Sequence, residues 1–381
     1  MMVMDIQLIG STNNIKDKEE MKRFSYNCGR ICYTEKDFEE LKEEITNEKL
    51  MNGMIKSGHH SIFEHISLGF YMMGISKALA MVFNNEKQYA TSEKSARYTK
   101  MADIEPVQNE KYEKWMELLI PEIDKVYPSM GDEKKRNVAI GKLAKENARY
   151  MTSVFTPTKM AHTVNLRQLN FTLDEFDKYN EENKNSKDLF KRRLADDMEE
   201  FISQTEKFKI KGLENQTDRG LSLFNKRNVE IHFGDVYSTI YLMSFAGLAQ
   251  AHRHRTINYN ISKGLELDAP KGFFIPDIVP TQLRNEWVND LYETAESDYP
   301  QAQLLEVNER GIIEDFRSKA FLRMCGHAQW EIMKNTLNTA KEYEQFQKEY
   351  GENSLKPKCE QGIKCPSPCI WTGKKALERI V

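Results

Sequence analysis

Two stretches far apart in the chain carry the same apolar and aromatic spacing, and this limits the fold more than any other feature. EKYEKWMELLIPEIDKVYP (110–128) and RNEWVNDLYETAESDYP (284–300) share Trp115/Trp287, Leu119/Leu291, Tyr127/Tyr299 and Pro128/Pro300, each pair 172 positions apart. GISKALAMVFNNEKQY (74–89) and SFAGLAQAHRHRTINY (244–259) match at nearly the same offset, and each is followed by a turn and a proline, IEP at 104–106 and FFIP at 273–276. One offset shared by distant segments is the mark of an internal repeat. Two related domains are expected, 1–212 and 213–381, meeting in the polar stretch KIKGLENQTDRG (209–220). The second is shorter after Pro300, so the repeat is imperfect.

A length of 381 residues suits two domains or one large one. Hydrophobic residues at 40% and charged residues at 30% fit a globular chain with a real core. The net charge of −3 argues against a protein that binds nucleic acid by neutralising phosphates. No apolar run approaches the roughly 18 residues of a membrane span, and MMVMDIQLIGSTNN is too short in apolar length and too weakly basic for a secretory signal. A cytoplasmic location is expected. Six cysteines are too few for a disulfide framework. Cys359, Cys365 and Cys369 cluster in KPKCEQGIKCPSPC without a CxxC pair, which leaves reduced thiols in a packed tail ahead of zinc.

HISLGFYM (65–72) alternates as a half-buried strand does, and VYSTIYLM (236–243) is rich in β-branched and aromatic residues. Amphipathic spacing predicts helices at roughly 36–56, 75–88, 110–127, 133–155, 190–208, 283–298 and 316–348. KYNEENKNSKD (178–188) reads as a solvated loop. Strands beside long helices, without a βαβ period, give an α+β class with mainly antiparallel sheets.

The chemistry concentrates in three segments. In AHRHRTINYNIS (251–262), Arg253, His254 and Arg255 follow Gln250. On a helix end Gln250 and Arg253 share a face, while His254 and Arg255 point elsewhere. Arginine grips phosphate and carboxylate with a planar two-pronged donor set. Such a cluster alone is often a solvated basic turn. Its place between buried-looking FAGLAQA and strand-like TINYNI favours an anion site. The aligned Asn85, Glu86 and Lys87 lack this chemistry, but SEKSARYTK (92–100) offers Ser95, Ala96 and Arg97, where the second half has Lys263, Gly264 and Leu265. Each half keeps what the other lost. In SGHHSIFEH (57–65), His59, Ser61 and Glu64 fit ligand positioning better than metal binding, because the segment enters a strand; a structural turn is the other reading. No metal is expected.

GHHSIFEH, ISKAL, SARYTK, NCGRICYT (27–34), ARYMTSVFTPTKMAHTVNLRQL (148–169) and LRMCGHAQWEIM (322–333) together resemble the flavin-dependent thymidylate synthases (ThyX), over most of the chain and in two copies. The resemblance implies that Gln250 and Arg253 contact dUMP, with Glu93, Ser95, Ala96, Arg97 and Arg149 also on the nucleotide. It assigns His254 and Arg255 to the flavin, together with His59, Ser61, Glu64, Asn165 and Arg167. Arg323, six residues before the glutamine of AQWEI, would polarise the uracil ring as the catalytic residue. The chain departs from the pattern in places. Six residues, not seven, separate Arg255 from Ser262, and no S-x-R-Y follows. The first half has Phe171 where the family often has a polar residue, and only a trace of AQWE near Asp196–Glu199.

The implied activity is reductive methylation of dUMP, with FAD as cofactor, methylenetetrahydrofolate as carbon donor and NAD(P)H as reductant. Family tetramers build each site from more than one chain, so two duplicated chains would supply the same number of units. A homodimer with composite sites is therefore implied. A silent paralogue that still binds flavin or nucleotide is the main alternative, because half of each signature is gone. A nucleic-acid module using the arginines is the other, disfavoured by charge.

Overall fold

The computed structural model describes residues 3–213, 219–225, 229–350, 355–365 and 369–381. Residues 214–218 of the expected boundary and 366–368 of the cysteine tail lie outside them. In chain order the elements run β1 (Asp5–Ser11), α1 (Lys18–Arg30), α2 (Phe38–Leu41), α3 (Glu48–Lys56), β2 (Ser67–Ser76), α4 (Lys77–Phe83), β3 (Tyr89–Glu93), α5 (Pro106–Val126), α6 (Glu133–Ala148) and β4 (Pro157–Asn165). They continue with α7 (Leu166–Asn183), α8 (Leu189–Thr205), β5 (Val236–Ser244), α9 (Phe245–Ala251), β6 (Asn258–Lys263), α10 (Arg284–Ala295), β7 (Leu304–Ile312), α11 (Ile313–Arg323), α12 (Trp330–Tyr350) and α13 (Lys374–Glu378). The class is α+β, and every strand pair is antiparallel. Among the described residues no helix is long and apolar enough to cross a membrane.

Two compact units form, and they interleave in sequence: residues 1–94 with 157–221, and 95–156 with 222–381. The helical segment 95–156, on the N-terminal side of the expected boundary, thus packs with the later part of the chain.

In the first unit a four-stranded sheet runs β1-β2-β4-β3. Leu68, Phe70, Met72 and Ile75 of β2 are buried. Their spacing of two breaks between Met73 and Ile75, where the register shifts. Gly74 makes that bulge at φ +73, and a Cβ there would stand 2.4 Å from the Val3 carbonyl oxygen, so glycine is required. Phe83 of α4 packs against Phe176 of α7 and Phe201 of α8, with centroids 5.5 and 4.8 Å away. This aromatic cluster covers one face of the sheet with helices whose apolar stripes need a partner.

The second unit has a three-stranded sheet, β5-β7-β6. Its main core joins α5, α6 and α10. The repeated tryptophans meet there: Trp115 and Trp287 are fully buried, edge to face, with centroids 4.8 Å apart. Trp115 donates its indole N–H to Asp290 Oδ2 at 2.7 Å and Trp287 to the Phe274 carbonyl at 3.0 Å, so neither buried donor is orphaned.

Both units use the same junction from strand to helix. Ser76 Oγ caps α4 by accepting from Leu79 N at 3.0 Å, and Ser244 Oγ caps α9 by accepting from Gly247 N at 3.0 Å. These serines are 168 positions apart, which shifts the pairing of 74–89 with 244–259 by two residues and sets Asn85–Lys87 opposite Arg253–Arg255. Each serine also neighbours a carboxyl: Ser76 lies beside that of Asp197 of α8, and Ser244 donates to Glu331 of α12. Burial pushes the Asp197 carboxyl up to about 6, against the ordinary 3.8. The folded state then holds a proton that the unfolded chain releases, so stability falls as pH rises from about 4 to about 6. Asp197→Asn is expected to raise thermal stability above pH 6, by up to about 3 kcal/mol, with little effect near pH 4. Denaturation at the two pH values checks this; an equal shift at both would show that the carboxyl's charge is not the cause.

Several expected helices end differently. The 36–56 span is two helices, because Asn47 starts a new one by accepting from Leu50 N at 3.1 Å. The 133–155 helix ends at Ala148, since residues 152–154 turn extended and pair with 299–301: Val154 N donates to Tyr299 O and Gln301 N to Thr152 O, both at 2.8 Å. The 316–348 helix breaks between Arg323 and Trp330. There Gly326 lies so close to Trp371 that a Cβ would approach it to 2.5 Å, and Arg379 takes the Gly326 carbonyl as acceptor at 2.7 Å. The 75–88 helix is shorter, Lys77–Phe83. Residues 178–183, expected as loop, finish α7 instead. That helix and α1 have no counterpart among the expected helices.

Candidate functional site

In the first unit, Gly58 turns the chain after α3 at φ +79. A single 3-10 turn over His60–His65 then leads into β2. Ile62 and Phe63 are buried and anchor the turn, leaving Ser61 and Glu64 exposed. Glu64 Oε1 accepts from Arg167 Nη1 at 2.6 Å, across a pair that is about half exposed. Arg167 stands in the first turn of α7. Asn165 caps that helix by accepting from Gln168 N at 2.7 Å, so its oxygen is committed and only its amide N–H groups remain to meet a ligand. The His59 ring lies edge-on to Tyr33 at 6.0 Å, and its buried Nδ1 has no hydrogen bond. Tyr33 also lines a cavity of about 740 Å³ with Thr34, Glu35, Lys36 and Glu40. These residues belong to NCGRICYT (27–34) and its continuation, where an exposed tyrosine two helices before His59 gives no periodic signal.

Glu93 closes β3 in the same unit. Its carboxylate accepts from Lys77 Nζ and, at 3.3 Å, from Asn84 Nδ2. The next residues of that motif, from Ser95, belong to the second unit.

The second unit brings together Ser95, Ala96, Arg97, Arg149, Gln250, Arg253, His254, Arg255 and Arg323. Helical spacing predicts one face for Gln250 and Arg253, but α9 ends at Ala251. Arg253 falls in the turn beyond, exposed, while Gln250 is buried with its Oε1 unpartnered. The Arg253 guanidinium makes no hydrogen bond or ion pair among the described residues, and Arg255 is exposed. His254 is buried. Its Nε2 accepts from Arg323 Nε at 2.6 Å, while Arg323 Nη2 reaches the Gln250 carbonyl at 3.3 Å. Burial, then the charges of Arg323 and Lys319, drive the His254 pKa down to about 2, so the imidazole is neutral and accepts at Nε2. Burial and the neighbouring Arg253 lower Arg323 to about 10, leaving it charged near neutrality.

Arg97 is buried. It pairs with Glu146 of α6 through Nε and donates from Nη2 to the His327 carbonyl at 3.0 Å. Burial works against its charge, but Glu146 outweighs it, so its pKa stands above the usual guanidinium value. Ser95 Oγ receives the Arg97 backbone N–H at 3.4 Å, and Ala96 is buried between them.

Arg149 is the most unusual of the set. It is 4% exposed, and its Nε and Nη2 have no partner. Burial lowers its pKa. Tyr150, its neighbour, donates to Glu331 Oε2 at 2.7 Å. Glu331 also accepts the Ser244 backbone N–H at 2.6 Å and the Ser244 hydroxyl at 2.7 Å. One buried carboxyl thus ties the turn bearing Arg149 to the start of the helix bearing Gln250. The sequence carries no signal for Glu331, Tyr150 or Glu146 as site residues, because the roles of all three lie in tertiary contacts. Gly247 packs on this carboxyl so tightly that a Cβ would stand 2.8 Å from its Oε2. Gly247→Ala is expected to destabilise the protein by about 1–3 kcal/mol, read as a fall in melting temperature; an unchanged melting temperature would show that the carboxyl can move.

Electrostatically the arginines form one cluster: Arg97 depresses both Arg149 and Arg323, and Arg253 depresses Arg323. Glu146 answers the charge of Arg97, but the free donors of buried Arg149 can still take a further anion. Among the described residues no three His, Cys, Asp or Glu side chains gather as metal ligands.

The family model described as "Thymidylate synthase complementing protein" matches residues 14–179. A curated flavin-dependent thymidylate synthase of Clostridium tetani (strain Massachusetts / E88) is 26% identical over 164 residues, covering 37% of this chain and 64% of that protein. The chain therefore spans just under two thirds of that relative's length. Among solved structures, ThyX from Helicobacter pylori with FAD and dUMP is similar at 16% identity and a TM-score of 0.31, over 53% of this chain and 92% of that one. The UMP/dUMP methylase PolB from Streptomyces cacaoi bound with 5-Br dUMP is similar at 16% identity and a TM-score of 0.29, over 45% and 76%.

Proposed function

We propose that this chain, which belongs through residues 14–179 to the thymidylate synthase complementing protein (ThyX) family, is a flavin-dependent methyltransferase that converts dUMP to dTMP. Methylenetetrahydrofolate supplies the carbon and NAD(P)H the reducing equivalents. The observation that carries this reading is Arg149: a buried guanidinium with free donors, in one unit with unpartnered Gln250 and with Arg323. These groups suit a nucleotide whose phosphate needs cations and whose uracil ring needs a donor.

In this reading Arg97, Arg149 and Arg253 neutralise the phosphate, and Gln250 and Ser95 fix the nucleotide's orientation. Arg323 stays charged and donates to the uracil ring, stabilising the negative charge that builds as C5 becomes nucleophilic. Neutral His254 accepts from Nε of Arg323 and so fixes the direction of its remaining N–H groups. The first unit fits a flavin: His59 keeps an unpartnered buried Nδ1, Asn165 keeps amide donors, and Arg167, paired with exposed Glu64, can turn to a phosphate. Ser61 and Arg255 complete the set assigned to it. When bound, FAD would supply the redox chemistry.

We further propose that the chain arose by tandem duplication, with repeats 1–212 and 213–381. Support comes from the equivalent strand orders β2-β4-β3 and β5-β7-β6 and from the paired serine–carboxyl junctions. The nucleotide site is then composite, joining residues of both repeats, in a homodimer equivalent to the family's tetramer.

The test uses the purified full-length chain. A visible flavin absorbance band, together with tritium release from dUMP labelled at C5 that depends on methylenetetrahydrofolate and NADPH, is the expected result. Flavin binding without tritium release would point to a silent paralogue, and the absence of both would overturn the proposal.

A further inference from the structure

Outside the arginine cluster, the second sheet borders a cavity of about 500 Å³. Its lining includes Val229, Glu230, Val236, Asn260, Asn308 and Arg310. On the central strand β7, Asn308 pairs with Ile240 on one side and Asn260 on the other.

The two carboxamides can be oriented from their partners. Asn260 Nδ2 faces three acceptors, the carbonyls of Ser222, Leu223 and Asn225, at 3.2, 3.2 and 2.6 Å. It must be the NH₂ end, so Asn260 Oδ1 is an acceptor. Asn308 meets that oxygen at 3.2 Å and must present its own NH₂. Asn308 Oδ1 is then an acceptor with no partner, on a side chain only 6% exposed. Such an atom, held in a fixed orientation at a cavity, calls for an N–H or O–H donor from outside the protein.

The other lining groups define the rest of the ligand. Arg310 is exposed, and its guanidinium makes no hydrogen bond or ion pair among the described residues, so it suits a phosphate. The Glu230 carboxylate suits the hydroxyls of a ribose, which carboxylates commonly bind. Val229 and Val236 offer apolar surface to the faces of a flat ring.

We propose that this cavity is a second nucleotide site, distinct from the arginine cluster, that takes a nucleoside monophosphate: the base N–H on Asn308 Oδ1, the ribose on Glu230 and the phosphate on Arg310. It does not depend on the activity proposed above.

The experiment titrates AMP, GMP, CMP and UMP into the full-length chain by calorimetry, in the wild type and in Arg149→Met. At least one of them is expected to bind in the Arg149→Met background. Asn308→Leu and Arg310→Ala, each made in that background, should weaken this binding about tenfold or more, and the matching nucleoside should bind more weakly than the nucleotide. Arg310 is exposed, so its variant tests the site even if Asn308→Leu fails to fold. Binding of none of the four nucleotides would overturn the proposal. So would binding indifferent to both substitutions, or ribose 5-phosphate binding as tightly as the nucleotide. Loss of dUMP methylation with this binding intact would sink the reading of the arginine cluster and leave this one standing.

Discussion

Arg149→Met is expected to make the ligand-free protein more stable and to abolish tight binding of dUMP. The two effects have one cause. The guanidinium is 4% exposed and its Nε and Nη2 have no partner, so folding strips its water and returns only the Tyr150 ring and the charges of Glu146 and Glu331, which burial outweighs. Replacing a buried, under-compensated charge with an apolar chain of similar volume removes that penalty, and a gain of about 1–3 kcal/mol is expected. With substrate present the balance reverses, because a phosphate would supply the missing acceptors. Losing a buried, charge-assisted contact to an anion costs roughly 2–5 kcal/mol, or about 30-fold to several thousandfold in affinity. Thermal denaturation without ligand and calorimetry with dUMP measure the two sides. A lower melting temperature with unchanged affinity would make Arg149 a structural residue and remove the main support for the proposed function.

Arg323→Ala is expected to cut turnover by about 10²–10³ while weakening dUMP binding far less. Arg323 donates from Nε to His254 and from Nη2 to the Gln250 carbonyl, so in the resting protein it is already aimed by two fixed partners. A side chain that acts on charge developing in the transition state should show itself in kcat more than in KM. An equal loss in affinity and turnover would assign it to ground-state binding instead. The substitution has a second readout at His254, whose pKa of about 2 owes most to burial and next to Arg323. Without the guanidinium that pKa should rise part of the way back, visible in the titration of the imidazole by NMR. The sign for stability is also fixed. The unfolded chain protonates this histidine near 6.5 and the folded one does not, so stability contributed by His254 is present above pH 6.5 and is lost as pH falls toward 2. Arg323→Ala should soften this acid limb.

The class and three of the seven strands, β2, β5 and β6, could be read from the chain, because alternation in HISLGFYM and VYSTIYLM reports burial directly. Helix ends were harder to read. Amphipathic spacing runs straight through 324–329, and what breaks the helix there is the close approach of Trp371 and the grip of Arg379, both far away in sequence. In the proposed site, Gln250 followed from its spacing to Arg253, whereas Arg149 and Arg323 came only with the family resemblance. Residue type could not separate free donors from satisfied ones: Asn165 reads as a ligand residue but spends its oxygen on a helix cap. Glu331 was invisible as a site residue, since a glutamate at the start of a helix has an ordinary reason to be there. Only its contacts with Ser244 and Tyr150 show that it ties two site segments together.

Residues 95–156 fold with 222–381 rather than with their own N-terminal neighbours. A pocket built by two copies of one gene product must carry every mutation twice, and it comes apart when the copies are diluted. Here Arg97, Arg149, Gln250 and Arg323 lie on one covalent thread, within one compact unit. These four side chains therefore come together within a single chain, and under the proposed duplication each could change without altering its counterpart in the other repeat. On the duplication proposed above, that freedom would let Asn85–Lys87 and Lys263–Leu265 drift while their counterparts kept the chemistry.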